Sequence, residues 1–196
     1  TDLRAVSGAA FAMYSPLNVD RFVTFLKAAR AAGRTLVIAP YQNFVLHLIG
    51  RQCRLPRPAA TGPLRVLVPP RFASSGAGSR LAHTQWAARL EHGEIQSEEI
   101  RQKPGEYLVL FRPSMQPWLF PDGLPQHAIC FFSYWPGYLE EERLRAFAAQ
   151  LDAAKGQLLR RHASGHAHPA DLRSFVEEVH PRLLIPVHTT NPEKWG

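Results

Sequence analysis

Three stretches decide the fold: Ala9-Ala-Phe-Ala-Met-Tyr14, Leu17-Asn-Val-Asp-Arg-Phe-Val-Thr-Phe-Leu-Lys-Ala-Ala-Arg30 and Thr35-Leu-Val-Ile-Ala39. The first is a short apolar run and reads as a buried strand. In the second, Val19, Phe22, Val23, Leu26 and Ala29 recur at helical spacing and form one apolar stripe. Ser15 is placed to cap this helix, and Pro16 suits its first position, where the missing N–H has no partner to lose. Gly33 ends it. The third stretch is a second strand, stopped by Pro40. Strand, helix and strand of these lengths make a βαβ unit, which implies a parallel pair joined by a right-handed crossover.

The alternation continues outward. Residues 42–50 read as a short helix, and 51–63, rich in proline and basic residues, as a loop. Leu64-Arg-Val-Leu-Val68 is a strand closed by Pro69-Pro70. Ser74-Ser-Gly-Ala-Gly78 lacks the Lys-Ser/Thr ending of a phosphate-binding P-loop and receives no nucleotide role. Residues 80–91 and 97–102 read as helices, and 106–111 and 128–132 as strands. Met115 to Phe120, interrupted by Pro117, reads as an irregular edge, and Tyr138 to Ala154 as one long amphipathic helix. The strands are uniformly apolar, as strands covered on both faces are. The expectation is an α/β fold of three layers, a mainly parallel sheet flanked by helices, over residues 1–160. A C-terminal segment, 161–196, follows it.

The 196 residues suffice for one sizeable core, and a hydrophobic content of 45% with 20% charged is that of a globular chain. No apolar run is long enough to span a bilayer, and no basic region followed by an apolar core marks a signal peptide. A chain starting at Thr1 reads as a fragment or a processed chain. Cys53 and Cys130, far apart and in apolar surroundings, read as reduced buried thiols of a cytoplasmic protein. The net charge of +7 and pI near 9.9 favour anionic partners, nucleic acid among them, although many soluble proteins are mildly basic without one.

Open α/β sheets bind ligands beyond the carboxyl ends of their strands. The residues expected there are Ser15, Pro40-Tyr41, Ser133-Tyr-Trp-Pro-Gly137 and a histidine cluster. The turn at 133–138 fits either an anion at a helix start or an ordinary capped turn. The cluster is His162-Ala-Ser-Gly-His166-Ala-His168, followed by His188. Gly165 lets backbone approach a ligand, and Ser164 can hydrogen-bond phosphate oxygens. His168 precedes Pro169 and reads as the start of a helix over 170–179. His180 reads as a partner of that helix's C-terminal dipole. Arg182 to Val187 reads as a buried strand that delivers His188 to the sheet's active edge, where a metal-ligand role is one of its readings. Neither cysteine has a second ligand at zinc-finger spacing.

His-x-Ser-Gly-His-Ala, then an Asp-Leu helix, then Pro-x-x-Leu-Ile-Pro-Val-His, with His166 and His188 separated by 22 positions, resembles the end of a β-CASP nuclease of the metallo-β-lactamase fold. Tyr14-Ser-Pro-Leu-Asn18-Val-Asp-Arg21 is similar to the start of the first β-CASP helix, and Ser133 to Tyr138 to the turn before its last. The resemblance implies a β-CASP-like cap over 1–160, with 161–196 returning toward a metallo-β-lactamase domain. It implies phosphodiester hydrolysis, of RNA before DNA, with two zinc ions in the whole enzyme. His188 would be a metal ligand, and His166 would sit near the scissile phosphate and stabilise or protonate the leaving oxygen. His162, Ser164 and Gly165 would hold the phosphate. The family's His-x-His-x-Asp-His site is absent from the 196 residues. The chain alone is therefore expected to be inactive, the other reading being a non-catalytic α/β module that binds nucleic acid or protein. Homo-oligomerisation stays open.

Overall fold

The computed structural model describes residues 2–50, 52, 54–70, 93–161, 167–187, 189 and 191–195. The chain divides into two compact units, Thr1–His162 and Ala163–Gly196. In the first, described residues form strands β1 (Ala10–Met13), β2 (Thr35–Ile38), β3 (Leu64–Leu67), β4 (Glu94–Ile95), β5 (Tyr107–Leu110), β6 (Ile129–Phe132) and β7 (Gln157–Arg160). They make one seven-stranded sheet in the order β4-β3-β2-β5-β1-β6-β7, every pair parallel.

Side chains alternate across this sheet and build a core on each face. Ala10, Ala12, Leu36, Ile38, Leu108 and Leu110 face helices α1 (Val19–Ala31) and α2 (Pro40–Ile49) through Phe22, Phe25, Leu26, Ala29 and Leu46. Phe11, Met13, Val37, Val109 and Phe132 face the other way. They meet helices α3 (Ser97–Gln102), α4 (Gln116–Leu119) and α5 (Glu142–Ala153) through Ile100, Leu119, Leu144, Phe147 and Leu151. The result is a three-layer α/β fold. Phe111 sits at the centre of the second core, stacked on Phe11 with centroids 4.6 Å apart and tilted against Phe147 at 5.3 Å.

Strand order follows from crossover direction. The connections from β1 to β2, β3 and β4 step toward one edge, and those from β5 to β6 and β7 step toward the other. Right-handed crossovers in opposite directions put their helices on opposite faces. The sheet therefore reverses direction between the neighbours β1 and β5.

Several local expectations are corrected. Ser15 does not cap α1. It opens a turn in which its carbonyl accepts from the Asn18 N–H at 2.9 Å, and Asn18 is the cap, its side chain accepting from the Arg21 N–H at 2.8 Å. Asn18→Ala is expected to cost about 1 kcal/mol in urea unfolding and Ser15→Ala only a few tenths; the reverse ranking would restore Ser15 as the cap. Residues 115–120 are not an irregular edge: Pro117 lies in the first turn of α4, where proline has no helical bond to lose. Residues 138–154 are not one helix. A 3₁₀ turn, Pro136–Glu140, precedes α5, and Glu141 between them is extended, with ψ 136°. The edge strands β4 and β7 escape the apolar pattern because each has one neighbour and β7 stays half-exposed. The helix read over 80–91 and the loop at 74–78 lie outside the described residues.

In the second unit, α6 (Pro169–Val179) begins as read: Pro169 stands at its first position and His168 caps it, its Nδ1 accepting from the Ala170 N–H at 3.3 Å. His180 closes it in the left-handed region, φ 48°. The strand expected over 182–187 is not formed. Leu183, Ile185 and Val187 are mostly exposed there, as are Phe175 and Val179 on α6. A strand forms only where a neighbour takes up its backbone groups, and none does so among the described residues.

Candidate functional site

At the carboxyl ends of β1, β5 and β6 lies a cavity of about 880 Å³. Met13 and Ser15 enter it from the end of β1, and Arg112, Pro113 and Ser114 from the segment after β5. Tyr134 and Tyr138 come from the turn after β6, and Glu141, Arg143 and Phe147 from α5 and its approach. This is where the crossovers diverge: the chain leaving β1 goes to one face and the chain leaving β5 to the other. In open α/β sheets ligands bind in the crevice so formed.

The cavity wall is tied to the sheet. The Tyr134 hydroxyl donates to the Tyr14 carbonyl at 2.7 Å, and the Tyr14 hydroxyl donates to Gln42 Oε1 at 3.1 Å. Burial pushes the Tyr134 phenol above its ordinary range, and the positive charges of Arg112 and Arg143 pull it partly back. It is therefore a neutral hydrogen-bond donor near pH 7. Tyr138 stands perpendicular to both Tyr134 and Trp135, with centroids 6.0 and 5.8 Å apart. Arg143 pairs with Glu141 at 3.1 Å, whereas Arg112 has no carboxylate partner among the described residues. Glu141 occupies the cap position of α5, so a carboxylate stands where an anion would meet that helix end.

The same edge anchors Arg161, the residue before the histidine pattern. The Arg161 N–H donates to the Phe132 carbonyl at 2.8 Å, extending the β6–β7 ladder. The Arg161 carbonyl accepts from Arg21 Nη1 of α1 at 3.2 Å and from the Ser133 hydroxyl, and Arg21 Nη1 also donates to Ser133. Three elements thus fix the residue that precedes His162. The expected site residues His162, Ser164, Gly165, His166 and His188 themselves lie outside the described residues. His168, described, is a helix cap, as its place before Pro169 implied.

Among the described residues no three histidine, cysteine or acidic side chains stand close enough to hold a metal ion. The donor chemistry of the chain does not by itself fit catalytic zinc. The resemblance makes His188 the one ligand, whereas such zinc takes about three protein ligands. Cys130 is free and wholly buried, and burial pushes its thiol far up, so it is an inert core residue. Among the described residues no helix is long and apolar enough to cross a membrane.

Of the edge residues expected, Ser15 and Tyr134 line the cavity, and Ser133 helps anchor Arg161. Arg112, Ser114 and Arg143 were missed. Phe111-Arg-Pro-Ser114 directly follows a strand, which was a usable signal. That β5 neighbours β1, however, is set by the strand order and not by the local pattern.

Comparison with known proteins leaves the class at the fold, a three-layer α/β protein with a parallel sheet. No protein-family model matches the chain, and no curated protein matches it.

Proposed function

We propose that the chain is the β-CASP-like portion of a zinc-dependent, metallo-β-lactamase-fold nuclease that hydrolyses phosphodiester bonds, of RNA before DNA, in the cytoplasm. The observation that carries the reading is the pattern His162-x-Ser164-Gly-His166-Ala … Pro186-Val-His188. It begins one residue after Arg161, which is held at the carboxyl edge of a parallel sheet. The second unit supports it. Phe175, Val179, Leu183, Ile185 and Val187 are exposed, and a segment that completes another domain would bury such residues there.

In this reading zinc, when bound, supplies an activated water and a counter-charge to the phosphate. The residues of this chain bind and orient the strand. His162, Ser164 and Gly165 hold the phosphate, His166 hands a proton to the leaving oxygen, and His188 contributes one ligand to a site that other residues must complete. The chain alone is inactive. The test is the coding sequence before Thr1, together with a nuclease assay on the longer protein. A His-x-His-x-Asp-His motif and metal-dependent cleavage are expected; a start codon close to Thr1 with no such motif sinks the reading. The competing reading is a non-catalytic binding module. It rests on the cavity at β1, β5 and β6, which needs no metal to take a ligand.

A further inference from the structure

We propose that the cavity between the ends of β1 and β5 is a subsite for one phosphorylated nucleoside unit, with the phosphate on Arg112 and Ser114 and the base against Tyr138. The cavity's charged lining residues are Arg112, Arg143 and Glu141. Arg143 is paired with Glu141 at 3.1 Å, whereas Arg112 has no carboxylate partner among the described residues, so it can meet a ligand without giving one up. A guanidinium matches phosphate oxygens in a forked geometry and is always charged. Ser114, two residues on in the same turn, adds a hydroxyl beside it. An unpaired guanidinium with a hydroxyl in the same turn asks for an anion with several acceptor oxygens.

The rest of the ligand is read from Tyr138. Tyr138 lines the cavity and stays 45% exposed, and its ring stands perpendicular to those of Tyr134 and Trp135. An aromatic ring held by its neighbours loses little freedom when a flat ligand stacks on it, and stacking of this kind tolerates any base. Tyr134, bonded to the Tyr14 carbonyl, keeps the wall in place. The volume lies within the range of small-molecule sites. A guanidinium for an anion and an exposed planar ring in one cavity describe a nucleoside monophosphate, whether free or as one unit of a single strand.

The inference depends on the nuclease reading only for the strand as a source of that unit, and its test needs neither metal nor histidine. The full chain is titrated with adenosine 5′-monophosphate, uridine 5′-monophosphate, adenosine and inorganic phosphate, with EDTA present, by calorimetry. Both mononucleotides are expected to bind, adenosine and phosphate at least about tenfold more weakly, a difference near 1.4 kcal/mol. Arg112→Gln should bring the mononucleotides down to the level of adenosine, and Tyr138→Ala should bring them down to that of phosphate. Both side chains are exposed enough for the variants to fold, which circular dichroism checks. Wild-type affinity in Arg112→Gln, or adenosine binding as tightly as its phosphate, overturns the proposal, as does no mononucleotide binding at millimolar concentration. A 5′-phosphorylated oligonucleotide that displaces the mononucleotide identifies a strand as the source; failure to displace it identifies the free mononucleotide. Binding in EDTA alongside a negative result for the upstream motif would retain this subsite and discard the nuclease reading.

Discussion

Arg34→Met is expected to lower the unfolding free energy by roughly 3–5 kcal/mol, more than any other single polar change in the sheet, because it strands several buried carbonyls at once. Arg34 follows Gly33 at the end of α1 and is 6% exposed. Its Nη1 donates to the Gly8 carbonyl at 2.9 Å and the Tyr107 carbonyl at 3.0 Å, and Nη2 donates to the Val6 carbonyl. Val6 and Gly8 precede β1, and Tyr107 is the first residue of β5, so the clamp ties the amino ends of two neighbouring strands together. Burial pulls the guanidinium below its ordinary range, yet an arginine remains charged at any working pH. Methionine keeps most of the stem and removes the donors, so the loss reports hydrogen bonds and not volume. For a chain of this size the melting temperature should fall by about 10 °C. The measurement is urea unfolding of Arg34→Met beside Arg34→Lys. Lysine can reach one carbonyl as a point charge but not all three, so it should recover only part of the loss. A change under about 1 kcal/mol in Arg34→Met would show that water satisfies those carbonyls and that the clamp is dispensable.

This clamp also shows where the sequence is legible and where it is not. The βαβ unit could be read because its information is local: Phe22, Leu26 and Ala29 repeat at helical spacing, and β1, β5 and β6 are apolar on both faces. Arg34 could not be read, since a charged residue after a helix looks solvated until three carbonyls from other segments surround it. Ser15 and Asn18 are both good caps three residues apart, and the turn that chooses Asn18 depends on the path out of β1. The edge strands β4 and β7 carry Glu94, Gln157 and Arg160, which break the apolar run because a one-sided strand has a wet face. For the candidate site the asymmetry is sharper. The histidine pattern falls within residues 162–188, so its residue types can be read together from the sequence alone. The cavity draws on Ser15, Arg112 and Tyr138, 97 and 26 positions apart, and only the insertion of β5 between β2 and β1 brings them to one edge. The strand read over 182–187 is the opposite error. Its apolar residues are those of a strand, but a strand is a property of a pair, and the described residues supply no second member.

His166→Ala and His188→Ala should both reduce turnover, about 100-fold to 10,000-fold, in a longer protein that carries the His-x-His-x-Asp-His motif, but for separable reasons. The residues differ in what surrounds them in sequence. His166 sits behind Ser164 and Gly165, in a segment that starts at a carbonyl held by Arg21 and Ser133. His188 follows an apolar run with no hydrogen-bonding side chain from Leu183 to Val187, and a neutral imidazole is the commonest metal ligand. His166→Ala should therefore keep its zinc, measured by plasma emission spectrometry, while losing turnover. His188→Ala should lose zinc and turnover together, with the missing ligand lowering the affinity. A substrate with a better leaving group separates them further. Protonation of the leaving oxygen matters less there, so it should rescue His166→Ala and leave His188→Ala inactive. Equal zinc loss in the two variants, or equal rescue of both, would end this division of labour between the two histidines.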